Sequence, residues 1–286
     1  MNMEWSKIKN IIILILLAVN VFLLVQTAQQ ERQSRKYLEE SRSGAVEVLL
    51  RQGYEVADGA LPDESYLIPC TVERDREGEE TLAAYLLGAV RKTDDGVRAA
   101  YEGEKGEGWF RSDGSFSFTF TPEAYTARRE DEGTYTVKLL SKAGYPCTVI
   151  RLERKAADGG EAGNAQGEET TKVIVRQTWE GAPVFPCTAE LIYRDGVLTS
   201  IVGTRLTGIP TRNSGGGQSM DVSTALIRFM SGMREGGHVF TRIEGLTSGY
   251  QATGSGRRME LEPVWQVTTD AGVFLMDAAT GELSLE

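Results

Sequence analysis

The sequence predicts an α+β fold: an N-terminal transmembrane helix followed by repeated helix-plus-antiparallel-sheet units. Three observations lead there. Ile11 to Val25 is apolar apart from Asn20. The remainder alternates amphipathic helical stretches with short strand-like stretches bounded by Asp and Gly turns. The segment PCTAELIYRDGVLTSI at 186–201 echoes PVWQVTTDAGVFLMDA at 263–278, each a Pro, an extended run, a turn with Asp and Gly, and a second run. Hydrophobic residues are 41% of the 286, enough for a folded core, and the length suits two domains or several small ones.

The apolar run comes first in the chain. From Ile8 to Ala28 it is long enough to cross a hydrocarbon core of about 30 Å, with Lys9 and Gln26 at the ends and Trp5 as an interfacial anchor. A cleavable signal peptide is the competing reading. Ala28 suits a cleavage site, but Gln26 is too large two positions before it. The uncleaved anchor is the expectation. Lys7 and Lys9 precede the span, whereas Arg32, Arg35, Lys36 and Arg42 follow it, so charge counting does not favour a cytoplasmic N-terminus. The very short tail and the single span do. The expected topology is a single-pass cell-membrane protein with its bulk extracytoplasmic.

Four units are expected: 1–28, tail and membrane helix; 29–121, stalk helix and first α+β domain; 122–212, a second unit; 213–286, linker and last unit. Residues 30–52 read as a helix with Leu38, Ala45, Val46, Leu49 and Leu50 as its stripe and Gly53 as its stop. A strand near Leu67–Arg74, a helix over Thr81–Val90 and strands near Val97–Tyr101, Gly108–Arg111 and Ser115–Thr121 follow, with Asp113-Gly114 as a hairpin turn. Thr121-Pro122-Glu123 reads as a helix start, with the helix ending by Gly144. Strands follow near Cys147–Arg154, Lys172–Trp179, Thr188–Arg194 and Val197–Leu206. AADGGEAGNAQGEE, between the first two of these, is expected to be a mobile hairpin loop, and 213–219 a flexible linker. Val222, Ala225, Leu226, Phe229, Met230 and Met233 form one apolar stripe, closed by Gly236-Gly237. The last strands are placed near His238–Tyr250, Arg258–Thr269 and Gly272–Asp277.

Composition also bears on chemistry. With 31 Lys and Arg against 41 Asp and Glu, the net charge of −10 gives no basis for holding nucleic acid. One His rules out multi-histidine metal sites, and three Cys cannot form a disulfide framework. G-x-S-x-G, P-loop, C-x-x-C and H-E-x-x-H patterns are absent from the sequence. His238 reads as a surface or packing residue, and the acidic residues fall in turns such as Asp94-Asp95-Gly96 and Asp195-Gly196. Cys70, Cys147 and Cys187 read as small buried hydrophobes. Trp109, Trp179 and Trp265 read as core or sheet-face residues rather than a ligand platform. No catalytic residue, cofactor, metal or small-molecule substrate is expected. The candidate partner-binding residues lie in the span: Asn20, whose amide is costly against lipid and can bond to a neighbouring helix, with Ala18 and Phe22.

The opening MEWSKIKNIIILILLAVNVFLLVQ, the helix VSTALIRFM and the ending LEPVWQVTTDAGVFLMDAATGEL resemble the YycI family. That resemblance implies a single-pass membrane protein of Gram-positive bacteria. With a YycH-like partner, it would regulate a sensor histidine kinase of the WalK (YycG) type that governs cell-wall metabolism. It implies contacts through membrane helices and exterior domains, and no catalytic residues. The terminal unit also looks like a PepSY-type module, which implies the alternative of envelope binding or peptidase inhibition.

Overall fold

The computed structural model describes residues 2–63, 66–128, 130–155, 169–213, 217, 219–255 and 257–285, with the side chains of 2–8, 11, 31, 35, 255 and 285 left aside. The loop expected at 156–169 therefore lies almost wholly outside the described residues, as do the Trp5 side chain and four residues of the expected linker.

The chain begins with one unbroken helix, α1 (Asn2–Arg51). The sequence divided it into a span and a separate stalk helix, but no Gly or Pro breaker separates them: Gly44 is the first glycine, and it continues the helix. Gly53, in the left-handed region at φ 88°, stops it. β1 (Glu55–Val56) and β2 (Cys70–Glu73) follow. α2 (Arg76–Leu87) starts where Asp75 accepts a hydrogen bond from the Gly78 amide at 2.9 Å, several residues before the expected start at Thr81.

A meander follows: β3 (Arg91–Asp94), β4 (Arg98–Gly103), β5 (Gly106–Arg111) and β6 (Ser115–Phe120). Its last turn is the expected Asp113-Gly114, with Gly114 at φ 86° and the Asp113 carboxylate accepting from the Ser115 amide at 2.9 Å. The expected helix start at Thr121-Pro122-Glu123 is only a turn. α3 (Glu132–Lys142) begins ten residues beyond Pro122, after a segment held by Thr126–Val197 bridging. Pro suits a helical first turn, but it also suits a plain turn, and nothing local separates the two.

β7 (Cys147–Lys155), β8 (Thr170–Trp179), β9 (Ala182–Arg194) and β10 (Val197–Thr204) make a second meander, and β11 (Pro210–Arg212) follows. α4 (Val222–Glu235) is capped by Asp221, which accepts from the Thr224 amide at 2.7 Å. It leads into β12 (Arg242–Ser255), β13 (Arg258–Thr269), β14 (Gly272–Asp277) and β15 (Leu283–Leu285). β12 starts four residues later than its expected start at His238.

Each of α2, α3 and α4 is thus followed by four strands that pair antiparallel in chain order. The meanders join into one 15-stranded, mostly antiparallel sheet. β6 pairs with β10, so hydrogen bonds cross residue 121. β2 pairs with both β11 and β13, tying the start of the body to its end. β9 meets β12 through the parallel contact Val184–Tyr250. The echoed segments lie in the β9–β10 and β13–β14 hairpins, the last pair of strands in one meander and the middle pair in the other, so their places do not correspond.

The core follows from alternation. One face of β4–β6 and β8–β9 is buried under α2 and α3, where Leu86, Phe110, Phe118, Leu140 and Leu191 pack together. A second cluster joins the end of α1 and all of α4 to Trp265, Val267, Phe274 and Met276. A third, with Cys70, Val72, Val184 and Leu261, fills the junction. Close strand packing sets one local requirement. A Cβ on Gly203 would strike the Thr188 carbonyl and the Ala189 backbone on β9. We expect Gly203→Val to lower the unfolding free energy by roughly 2 kcal/mol or more, read as a lower midpoint in urea titration. A midpoint within error of the parent would contradict this packing.

Candidate functional site: the apolar helix and its seat on the body

Among the described residues, no side chain in the first half of α1 is buried. Its 18-residue apolar window has a mean hydropathy of 2.2 and no buried residue, and it is long and apolar enough to cross a membrane. Side chains from Ile12 to Val25 are about half exposed or more, Phe22 being 60% exposed. Ala18 and Phe22 stand one turn apart on one face. Asn20 is turned about 200° from Ala18, so it looks out from the opposite side. The three residues singled out in the sequence therefore make two surfaces. Thr27, one heptad beyond Asn20, donates back to the Leu23 carbonyl at 2.9 Å, while the Asn20 amide has no partner among the described residues.

The second half of α1 is seated firmly. Ala45 and Leu49 are buried against the α4 stripe of Leu226, Phe229 and Met230. Arg42 donates to the Leu61 carbonyl at 2.6 Å, and Arg234 of α4 donates to the Gln52 side chain at 3.2 Å. Beyond the helix, β1 pairs parallel with β12, and Tyr54 stacks on Phe240 at 4.7 Å between ring centroids. A cavity of about 140 Å³ remains in the seat, lined by Ala45, Leu49, Leu226 and Met230 among others. From residue 29 to Gly44 the helix spans about 24 Å without a break.

No family model and no curated protein matches this chain. It is similar to the crystal structure of an uncharacterized protein from Eubacterium rectale ATCC 33656. The two are 12% identical with a TM-score of 0.52 over 79% of this chain and 89% of that one. The likeness is one of fold.

The side chains weighed for chemistry are dispersed. His238 is exposed and lies edge-on to Phe274 at 5.7 Å. Among the described residues no group of three or more His, Cys, Asp or Glu is placed to hold a metal ion. Trp265 is fully buried and donates to the Met220 carbonyl at 3.2 Å. Trp109, by contrast, is half-buried on the open face of the first meander, beside a groove. The sequence treated all three tryptophans alike. The alternation in RAAYEG and GEGWFR, which puts Phe110 inward and Trp109 outward, is the signal that separates them.

The three cysteines are buried and free, and burial pushes the Cys147 and Cys187 thiols up to about 12. Tyr125 and Tyr250 are raised to about 12 for the same reason. These groups stay neutral in the folded chain, while in the unfolded chain the thiols ionise near 9. Their stabilising contribution is therefore complete below pH 9 and is lost as pH rises towards 12. We expect the melting temperature to fall by more than about 5 °C between pH 9 and 11. Iodoacetamide at pH 8 should label the native chain negligibly and the urea-unfolded chain at every thiol. A flat melting curve or rapid native labelling would refute this burial.

Proposed function

We propose that this chain is a membrane-anchored accessory regulator of a two-component sensor histidine kinase of the WalK (YycG) type that controls cell-wall metabolism. It acts beside a YycH-like protein, by protein–protein contacts through the membrane helix and the extracytoplasmic domains. The observation that carries the reading is the continuity of α1, which runs from an exposed apolar stretch into the buried core of the body without a joint. A mere tether needs only apolar length and a flexible connection. A rigid link suits a protein whose body and span report on one another. The unpartnered Asn20 amide supports a helix neighbour, since lipid offers it no hydrogen bond. The family resemblance in the span and the last strands points the same way.

In this reading the N-terminus is cytoplasmic and the helix is retained. The three helix-plus-meander units are variants of one module. The last of them, α4 with β12–β15, has the form of a PepSY-like unit, which favours envelope binding or peptidase inhibition as the alternative.

Cross-linked full-length protein purified from its own membrane should bring down the kinase. Replacing Ile8–Ala28 by an unrelated apolar helix should reduce that recovery at least five-fold per inserted molecule, and Asn20→Leu should reduce it less. Undiminished recovery after the helix replacement would remove the span from recognition. Absence of the kinase, with a peptidase captured instead, would favour the alternative.

A further inference from the structure

The open face of the first meander carries a groove of about 310 Å³, the indole of Trp109 forming part of its wall. Cross-strand register explains its shape. Trp109 lies opposite Ala100 on β4 and Ser117 on β6, two small residues that leave room on both sides of a large one. Arg111 closes the indole from outside. Its guanidinium carbon is 4.9 Å from a Trp109 ring centroid, and Arg111 does not line the groove.

The charges along the groove are sorted by end. At one end Arg98 stands directly opposite Arg111. At the other Glu102 stands directly opposite Glu107. Like charges in facing positions destabilise a sheet, and among the described residues none of these four side chains is in an ion pair across the groove. The carboxylates of Asp95 and Asp113 stand in the flanking turns beside the arginines. Asp95 accepts from the amides of Val97 and Arg98, and Asp113 from the amide and hydroxyl of Ser115. Arg91, facing Glu102 on β3, offsets part of the negative end.

The geometry points to a binding site for a short zwitterionic peptide, lying extended between Arg98 and the glutamate pair with an apolar side chain against Trp109. Arg98 suits a terminal carboxylate, which accepts from a planar guanidinium fork. The glutamates suit a terminal ammonium. Arg98 and Glu102 are four strand positions apart, about 13 Å between Cα atoms, and both line the groove. An extended tripeptide spans roughly 10 Å between its termini. A groove of this volume accommodates one of that size and no folded segment. The inference does not rest on the proposed kinase partnership.

The test is calorimetric titration of the detergent-solubilised full chain with the tripeptide Ala-Phe-Ala at low ionic strength, where exposed charges are least screened. Saturable binding is expected, at least ten-fold weaker when the peptide is N-acetylated or C-amidated, and weaker again when both ends are blocked. Arg98→Gln and Glu107→Gln, both exposed, should each weaken the free tripeptide about five-fold or more. Arg98→Gln should also make C-amidation nearly inconsequential. Ser117→Leu, which fills the groove from β6, should abolish binding. These variants leave the buried face untouched. No saturable heat with the free tripeptide, equal affinity for the doubly blocked peptide, or binding indifferent to Ser117→Leu would each overturn the proposal.

Discussion

Trp265→Ala is expected to lower the stability of the body by about 3–5 kcal/mol, enough to unfold much of a marginally stable chain at growth temperature. Trp265 has no exposed surface and sits in the middle of β13, where its neighbours across the ladders are Ser248 on β12 and Met276 on β14. Its ring fills the cluster shared by α4, the end of α1 and the last hairpin. Truncation opens a large cavity under α4 and removes the donor to the Met220 carbonyl at the entry to that helix. The control lies in the same chain. Trp109→Ala, on the solvated face of β5, should cost less than about 1 kcal/mol, because it leaves no enclosed cavity. Urea unfolding followed by circular dichroism compares the two. If Trp265→Ala costs no more than Trp109→Ala, the second cluster is not the keystone of the C-terminal part.

That contrast also marks what could be read before the fold was known. The amphipathic stripe from Val222 to Met233 dictates α4 because six apolar residues at helical spacing have one geometry that buries them together. The Asp113-Gly114 and Asp195-Gly196 turns are equally local, the backbone at Asp195, Gly196 and Gly114 having positive φ. A mixed α+β body behind one long apolar helix was legible on those grounds. The pairing of β6 with β10, of β2 with β13 and of β9 with β12 was not. Those contacts depend on which edges meet, and a strand's own sequence specifies its faces rather than its neighbour. The groove was hidden for the same reason: Arg98 and Arg111 are thirteen positions apart in sequence and become a facing pair only through register. The unbroken run of α1 was obscured differently. Its charged middle, ERQSRKYLEESR, favours helix by propensity but gives no apolar period to follow.

Leu49→Asp is expected to detach the apolar helix from the body while leaving both folded. Leu49 is 3% exposed, and its partners are the α4 stripe rather than the large cluster under α2 and α3. A carboxylate placed there lies among apolar side chains, and Arg234, which also lines the small cavity of the seat, is already bonded to Gln52. The Arg42 and Arg234 contacts of the seat lie at its rim, to a carbonyl and to Gln52. Burying an unpaired charge costs several kcal/mol, more than a contact of one or two helical turns supplies, so the helix end leaves rather than the charge entering. Amides from Ala45 to Ala57 should lose hydrogen-exchange protection by about 100-fold or more, including the β1 pairing with β12, whereas those of β4–β6 should keep theirs. Leu50→Asp is the matched control: Leu50 is 55% exposed on the next position of the same turn, and its protection pattern should be unchanged. In membranes, Leu49→Asp should insert as well as the parent and still carry Asn20 on an intact span. If the proposed regulation travels along α1, that variant loses control of the kinase although both binding surfaces persist. Regulation preserved in Leu49→Asp, with exchange showing the seat open, would separate span from body and assign recognition to each independently.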